Sequence, residues 1–331
     1  MKKSLPTFRL TMFAPALCTC VCLLAMTAAA QQPENGTTDE RPRASNPIAS
    51  DEGQAVARRA IASVDAQRSV YAQLRQRINM FGQQLVGNGI YQQMGEGEER
   101  RLRLDLKVNV GEQITSMQQV CNGRFLYIRR DLGTSSSLGR VDLRRIQEAV
   151  NRSNETDGNL PGSQQWMLLG GLPQLLGRLE KNFQFTAPQQ ATLENTNVTV
   201  IDGFWKPQAL LALLPQHQGE IESGKPIDAK ALNPQLPTQI RMVVRRDDGF
   251  PLRIEYLRSG KAVEPDQPPP LTPIMAMELF DIRLGQPIDP LTFVYKPGNQ
   301  EVADHTEVYL NSLGLRGPRQ AEATERPAPR R

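Results

Sequence analysis

The clearest pattern along the chain is a strict alternation of apolar and polar residues over Arg101–Val110. Leucine or valine occupies every even position, and arginine, aspartate, lysine or asparagine occupies every odd one. A period of two places the apolar side chains on one face of a strand and the polar side chains on the other. The pattern therefore predicts a strand with one buried side and one side in water.

Two more strands are predicted directly after this one, at about residues 113–121 and 125–129. Gly111-Glu112 suits the first turn. Asn122-Gly123 suits the second turn, where we expect type I′ geometry because that turn needs two residues at positive φ. The three strands form an antiparallel meander with one apolar face, which another part of the chain must cover.

The remaining elements are predicted from the spacing of the apolar residues and from the positions of glycine and proline. Ala57, Ile61, Val64, Tyr71 and Ile78 recur mostly at helical spacing, so we expect one long amphipathic helix from about residue 54 to 78. The glycines in residues 80–94 predict a bent strand with a bulge at 87–89. Later patterns predict helices at 141–152, 164–182 (two helices with a break at 170–171), 206–214 and 302–313, a loop at 134–137, and strands at 183–185, 197–205, 239–245, 252–256, 274–284 and 291–295.

The N-terminus has the three parts of an export signal. Lys2, Lys3 and Arg9 precede an apolar run over residues 10–26 and the small residues 27–30. We expect cleavage after Ala30 and no stable membrane span afterwards. An uncleaved anchor is the alternative, because the apolar run is close to spanning length.

The domain organisation follows from composition. We predict a signal peptide over residues 1–30, a disordered linker over 31–53, one folded domain over 54–314, and a disordered basic tail rich in proline and arginine over 315–331.

Three of the four cysteines lie inside the signal. Because Cys121 is then the one cysteine of the exported chain, we expect no internal disulfide. Without Lys2, Lys3 and Arg9 the charge is 36 basic against 35 acidic residues, or +1. We therefore predict no nucleic-acid partner.

Catalytic signals are few. The chain has two histidines, His217 and His305, and no motif of a known metal, nucleotide or nucleophile site. His305 follows Asp304, which we interpret as a helix cap beside a surface histidine. Cys121 precedes a turn and is interpreted as a small half-buried hydrophobic residue. We predict no enzyme activity, no catalytic residue, no metal and no cofactor.

The helices carry more apolar surface than one sheet face obviously needs. The most apolar stretch, residues 164–182, contains a Gly170-Gly171 break. Each apolar residue taken alone is best explained as core. As a hinged set they suit a helical cover that opens for an apolar ligand, since one long acyl chain contributes about 10 kcal/mol on burial.

Two segments resemble the LolA/LolB lipoprotein-carrier superfamily. One is residues 122–127, NGRFLY, a turn that leads into an aromatic strand. The other is residues 282–298, IRLGQPIDPLTFVYKPG, which is similar to the closing strand pair of the family. The resemblance covers about residues 54–313 and implies an α+β fold in which a curved antiparallel sheet, an incomplete β-barrel, wraps over apolar helices. It also implies a cavity that holds the acyl chains of lipoproteins crossing the periplasm. The chain departs from the family by an insertion at about 202–236, a proline-rich loop at 265–270 and the basic tail, and no family cavity arginine can be placed on it.

We therefore predict a periplasmic, non-catalytic carrier whose partners are the acyl chain of a lipoprotein or lipid and an envelope protein. The alternatives are an envelope scaffold with the same fold and a solid core, and a hydrolase or sensor of envelope lipids. The predicted lipid-binding residues are Leu102, Leu104, Leu106 and Val108 on the sheet and Trp166, Leu168, Leu169, Leu172 and Leu175 on the movable side, with Gly170 and Gly171 as the hinge.

Overall fold

The computed structural model describes residues 49–80, 83–111, 113–152, 170–225, 227–260 and 269–315. The predicted signal peptide, nearly all of the predicted linker and basic tail, and most of the proline-rich loop lie outside these residues. The same holds for Trp166, Leu168 and Leu169.

The described residues form six helices and thirteen strands. In chain order these are α1 (Asp51–Asp65), β1 (Ser69–Met80), β2 (Gln83–Met94), β3 (Arg101–Val110), β4 (Gln113–Cys121), β5 (Phe125–Leu132), β6 (Ser135–Asp142), α2 (Leu143–Arg152), α3 (Leu172–Asn182), β7 (Phe183–Phe185), β8 (Gln189–Leu193), β9 (Thr196–Trp205), α4 (Pro207–Leu213), α5 (Gln218–Glu222), β10 (Gln239–Arg245), β11 (Pro251–Ser259), β12 (Leu271–Leu284), β13 (Ala303–Asp304) and α6 (Thr306–Ser312). Short 3₁₀ turns occur at Gly97–Glu99, Pro215–His217, Ala229–Ala231 and Pro290–Phe293.

All these strands belong to one sheet, in the order β13-β6-β5-β4-β3-β2-β1-β12-β11-β10-β9-β7, with β8 also paired to β9. Every pairing is antiparallel except that of β13 with β6. The sheet is curved and does not close. Helix α1 packs on α3 and on β7. The predicted α+β class, with a curved antiparallel sheet and apolar helices, is confirmed.

The long N-terminal helix is wrong beyond Asp65. The chain turns there and continues as β1, in which Val70, Ala72 and Leu74 are buried at a spacing of two. The gap of seven residues between Val64 and Tyr71 was the sign that the helical period had ended. The helix also begins at Asp51, so the last three residues of the predicted linker are part of the fold.

The glycines of β2 mark a close approach and not a bulge. Strand β2 pairs with β1 and β3 without a register shift. A Cβ atom on Gly89 would lie 2.1 Å from the carbonyl oxygen of Asp105, and one on Gly87 would lie 3.0 Å from a methyl carbon of Val108. The neighbouring strand β3 therefore requires glycine at position 89, where the collision is with backbone, and leaves little room for a side chain at position 87.

The second hairpin turn has a different geometry from the predicted type I′. Only Gly123 has a positive φ, of 95°, and the side-chain oxygen of Asn122 accepts the backbone N–H groups of Arg124 and Phe125. Glycine at the first loop position alone is typical of a type II′ turn. The hairpin is correct and the turn type is wrong. The predicted loop at 134–137 is also wrong from Ser135 onward, because β6 begins there.

The predicted strand at 291–295 is instead a 3₁₀ turn on the polar face of the sheet. Phe293 is fully buried, the carbonyl oxygen of Thr292 accepts a hydrogen bond of 3.0 Å from Arg103, and the Tyr295 ring stacks on Tyr127 at 5.2 Å. Pro290 favours the turn because it cannot donate to a strand ladder. The closing segment named in the family resemblance therefore contributes one strand, β12, and a strap across β3–β5.

Gly89→Ala tests the close approach of β3 to β2. We expect it to lower the free energy of unfolding by about 1–3 kcal/mol, because the methyl group collides with backbone. Gly177→Ala is the matched control, since Gly177 lies inside α3 with open space around it, and we expect it to stabilise by about 0.5–1 kcal/mol. Urea denaturation measures both. If the two variants change the free energy of unfolding equally, the close approach of β3 to β2 is contradicted.

Candidate functional site: the inner face of the sheet and the Gly170-Gly171 segment

The inner face of the sheet is the face that carries the even-numbered residues of β3. Leu102, Leu104 and Leu106 are at most 4% exposed there, whereas Val108 is half-buried. Leu172 and Leu175 of α3 belong to the same hydrophobic cluster. The structure thus brings together the described members of the predicted site, and most of them are well-packed core.

The predicted hinge lies in contact with this face. Gly170 and Gly171 have φ angles of 108° and 79°, which glycine adopts readily and other residues rarely. A Cβ atom on Gly171 would lie 2.8 Å from a methyl carbon of Leu102 and 2.7 Å from the hydroxyl oxygen of Tyr91. The backbone at the start of α3 therefore packs directly on the sheet.

A buried hydrogen-bond chain links this backbone to β2. The Tyr91 hydroxyl accepts the N–H of Leu172 at 3.2 Å and donates to the side-chain oxygen of Gln93 at 2.8 Å. The Gln93 amide donates in turn to the carbonyl oxygen of Val64, in the last turn of α1, at 3.5 Å. Burial raises the pKa of Tyr91 further above its usual value, so the hydroxyl remains a donor.

Arg100 holds the other side of the glycine pair. One of its terminal nitrogens donates to the carbonyl oxygen of Gly170 at 3.3 Å, and the other donates to Asp65 at 2.5 Å. The Arg100 side chain is 3% exposed and that of Asp65 is 59% exposed. A buried cation is therefore paired with a carboxylate that remains in water. We call Tyr91, Gln93 and Arg100 the glycine clamp.

The inner face is less well covered at the far end of β3. Val108 and Val110 are half-buried, as are Ile78 on β1, Leu85 on β2 and Met275 on β12. Ile78 pairs with both Leu85 and Met275, and directly paired residues share a face. We call these five residues the open end. They form an apolar strip across four adjacent strands, about 14 Å wide at the usual strand spacing.

The Cys121 side chain lies within the core and is more enclosed than the half-buried position that was predicted. Cys121 is buried, its sulfur accepts the N–H of Gly123 at 3.4 Å, and burial raises the pKa of the thiol. A protonated, enclosed thiol is a poor nucleophile. Among the described residues no group of three or more histidine, cysteine or acidic side chains is placed to hold a metal ion.

The two histidines have separate surroundings. The His305 ring packs against Gly139, and burial, followed by the charge of Arg130, lowers its pKa. Asp304 accepts the N–H of Thr306 at 2.9 Å, but the N-cap position of α6 is occupied by His305, which is half-buried and not on the surface as predicted. His217 contacts Glu220 at 3.0 Å near the start of α5. Neither ring hydrogen-bonds to a serine or cysteine in the part of the chain that the structure describes.

The sequence reasoning missed the glycine clamp. Tyr91 and Gln93 alternate along β2 with the same spacing as Leu85, Gly87 and Gly89, so all five face the inner side of the sheet. The alternation of β2 could therefore have indicated two polar groups in the core. Arg100 has no such signal, because it precedes β3 and its partners are 35 and 70 residues away.

Tyr91→Phe tests the clamp. The change leaves the Leu172 N–H and the Gln93 oxygen without this partner, so we expect the free energy of unfolding to fall by about 1–3 kcal/mol. Hydrogen exchange at the Leu172 amide should accelerate. The control is Tyr71→Phe on the polar face of β1, with an expected change below about 0.5 kcal/mol. If Tyr91→Phe and Tyr71→Phe change the free energy of unfolding and the exchange rate equally, the clamp is contradicted.

Comparisons with known proteins return structures and no sequence match. No protein-family model and no curated protein matches the chain. A LolA superfamily protein from Nitrosomonas europaea is 11% identical, over 74% of this chain and 99% of that one, with a TM-score of 0.27. A putative outer membrane lipoprotein-sorting protein domain from Vibrio parahaemolyticus is 10% identical, over 73% and 96%, with a TM-score of 0.32.

LprF from Mycobacterium bovis is 10% identical, over 73% of this chain and 96% of that one, with a TM-score of 0.36. No helix among the described residues is long and apolar enough to cross a membrane. The superfamily named from the sequence is also among those that the structural comparison returns.

Proposed function

We propose that the chain is a periplasmic, non-catalytic protein that binds the acyl chain of a lipid or lipoprotein between the inner face and the apolar helices. One observation carries the proposal. The apolar row of β3 continues in phase from Leu102 to Val110, but its cover decreases from nearly complete at Leu102 to partial at Val108 and Val110.

An acyl chain is the ligand that fits such a strip best. The open end offers apolar contact across four strands. Covering it with hydrocarbon contributes about 0.8 kcal/mol per buried CH₂. No reaction is needed for this role, and the protonated state of the Cys121 thiol agrees with a non-catalytic protein.

The glycine pair suits a gate. The segment that precedes it in the chain includes Trp166, Leu168 and Leu169, which we propose as part of the movable side, together with Leu172 and Leu175. The clamp holds Gly170 and Leu172 mainly by hydrogen bonds to backbone atoms. Such bonds can break and reform when the segment swings away from the sheet, because water replaces each partner.

The exported location rests on the basic and apolar N-terminal residues, and a lipid-bearing envelope protein is the partner that this location suggests. The scaffold alternative has its own support. Leu102, Leu104 and Leu106 are enclosed in continuous core, and Gly171 is pressed on Leu102. If the open end admits no ligand, this packing makes the scaffold the better explanation.

Val108→Asn tests the acyl-binding site. We expect the affinity for the apolar dye N-phenyl-1-naphthylamine to fall roughly tenfold, because a polar amide replaces an apolar contact. Lys107→Asn is the matched control, since the preceding residue is exposed on the opposite face, and its affinity should not change. Fluorescence titration gives both values. The scaffold is favoured if the wild-type protein takes up no dye.

Arg100→Met tests the gate. The change keeps the apolar stem but removes the hydrogen bond to Gly170, and the exposed Asp65 is simply hydrated. We expect the backbone amides of Gly171 and Leu172 to exchange hydrogen at a severalfold faster rate, because opening requires one strong hydrogen bond fewer. The neighbouring exposed Arg101→Met is the control and should leave the rate unchanged. If Arg100→Met leaves this rate unchanged, the proposed gate is contradicted.

A further inference from the structure

Two polar side chains on the inner face lack a good hydrogen-bond partner. Gln76 is 8% exposed, and its amide nitrogen donates only to the sulfur of Met275, at 3.4 Å. A thioether is a weak acceptor. The hydroxyl of Tyr256 makes no hydrogen bond among the described residues, although its ring is half-buried. Each of them therefore offers a neutral hydrogen-bond donor that a ligand on this face could use.

Both side chains lie beside the open end. Tyr256 pairs directly with Met275, which also pairs with Ile78 of the open end. Gln76 precedes Ile78 by two residues on β1 and therefore shares its face. Gln76 and Tyr256 thus lie on the two strands that flank β12, and the Gln76 amide contacts the sulfur of Met275.

A third inner-face group serves as a contrast. The Gln119 amide donates to the sulfur of Met117 at 3.6 Å, and its oxygen is buried without a partner. Gln119 pairs with Leu104 and Ile128, which are both core residues. It therefore lies away from the open end.

Among the described residues, the inner-face neighbours of Gln76 and Tyr256 on these three strands are uncharged. They are Leu74 and Ile78 on β1, Met275, Met277 and Leu279 on β12, and Ile254 on β11. A phosphate or carboxylate would need a cation here. A carbonyl oxygen needs only neutral donors, which the phenol and the amide supply.

We infer that Gln76 and Tyr256 recognise an acyl carbonyl at the open end, so that the ligand is an acyl ester or amide and not a bare hydrocarbon. The inference rests on the proposed acyl-binding function. The carbonyl oxygen replaces the Met275 sulfur as acceptor for Gln76 and gives the Tyr256 hydroxyl an acceptor that none of the described residues supplies. Burial raises the pKa of Tyr256, so the hydroxyl carries its proton at neutral pH.

The test compares a dialkylglycerol ether with a diacylglycerol of equal chain length, which differ in the ester carbonyls. Competition against the naphthylamine dye gives both affinities. We expect the wild-type protein to bind the ester about five- to tenfold more tightly than the ether. Tyr256→Phe and Gln76→Met should each reduce that preference and leave the ether affinity unchanged. Tyr71→Phe, on the polar face, is the control and should keep the full preference.

An N-acylated peptide in the same competition separates the two sources of the carbonyl. If Tyr256→Phe weakens binding of the acylated peptide, the ligand is assigned an amide-linked chain. If Tyr256→Phe weakens binding of the diacylglycerol alone, the ligand is assigned an ester. Equal wild-type affinities for ester and ether, or variants that weaken both ligands equally, overturn the inference while dye binding leaves the acyl site standing. A wild-type protein that binds none of the probes overturns both. Thermal unfolding checks each variant, and Gln76→Met decides the matter if Tyr256→Phe does not fold.

Discussion

The contact of Gly171 with Leu102 and Tyr91 determines how closely α3 approaches the sheet. Since Gly171 has no side chain, its backbone lies directly on the side chains of Leu102 and Tyr91, and Leu172 and Leu176 of α3 are buried completely. The contact closes the inner face at one end only. Further along β3 the same apolar row reaches Val110 with partial cover. A sheet that is tightly packed at one end and half covered at the other combines a stable core with apolar surface for a ligand.

The glycine clamp adds hydrogen bonds to this apolar contact. Arg100 is buried, but its carboxylate partner is in water, so the pair does not bear the full penalty of two desolvated charges. If the segment opens as proposed, the guanidinium regains water as it loses the Gly170 carbonyl. Hydrogen bonds of this kind hold a segment in place at a modest net free energy, which is the property that a gate requires.

The sequence predicts the fold where local pattern and burial agree. Strand β3 has one face in the core and one in water, so its period of two is unambiguous, and Gly123 marks the hairpin that follows. Strand β1 was wrongly merged with α1, because a helical and an extended period both fit the apolar residues after Val64, and only the gap before Tyr71 separates the two elements. Of the candidate site, the apolar row was predictable. The clamp was not, because Arg100, Tyr91 and Leu172 meet through contacts across 70 to 81 residues that no local pattern records.

The central claim is that an acyl-bearing molecule occupies the inner face of this protein. Native mass spectrometry of the protein, purified without detergent from the organism's own envelope fraction, tests it most directly. We expect the native mass to exceed that of the polypeptide by the mass of an acyl ester or amide, which is released on denaturation. A native mass equal to that of the bare polypeptide, unchanged after incubation with lipid vesicles, would contradict the account.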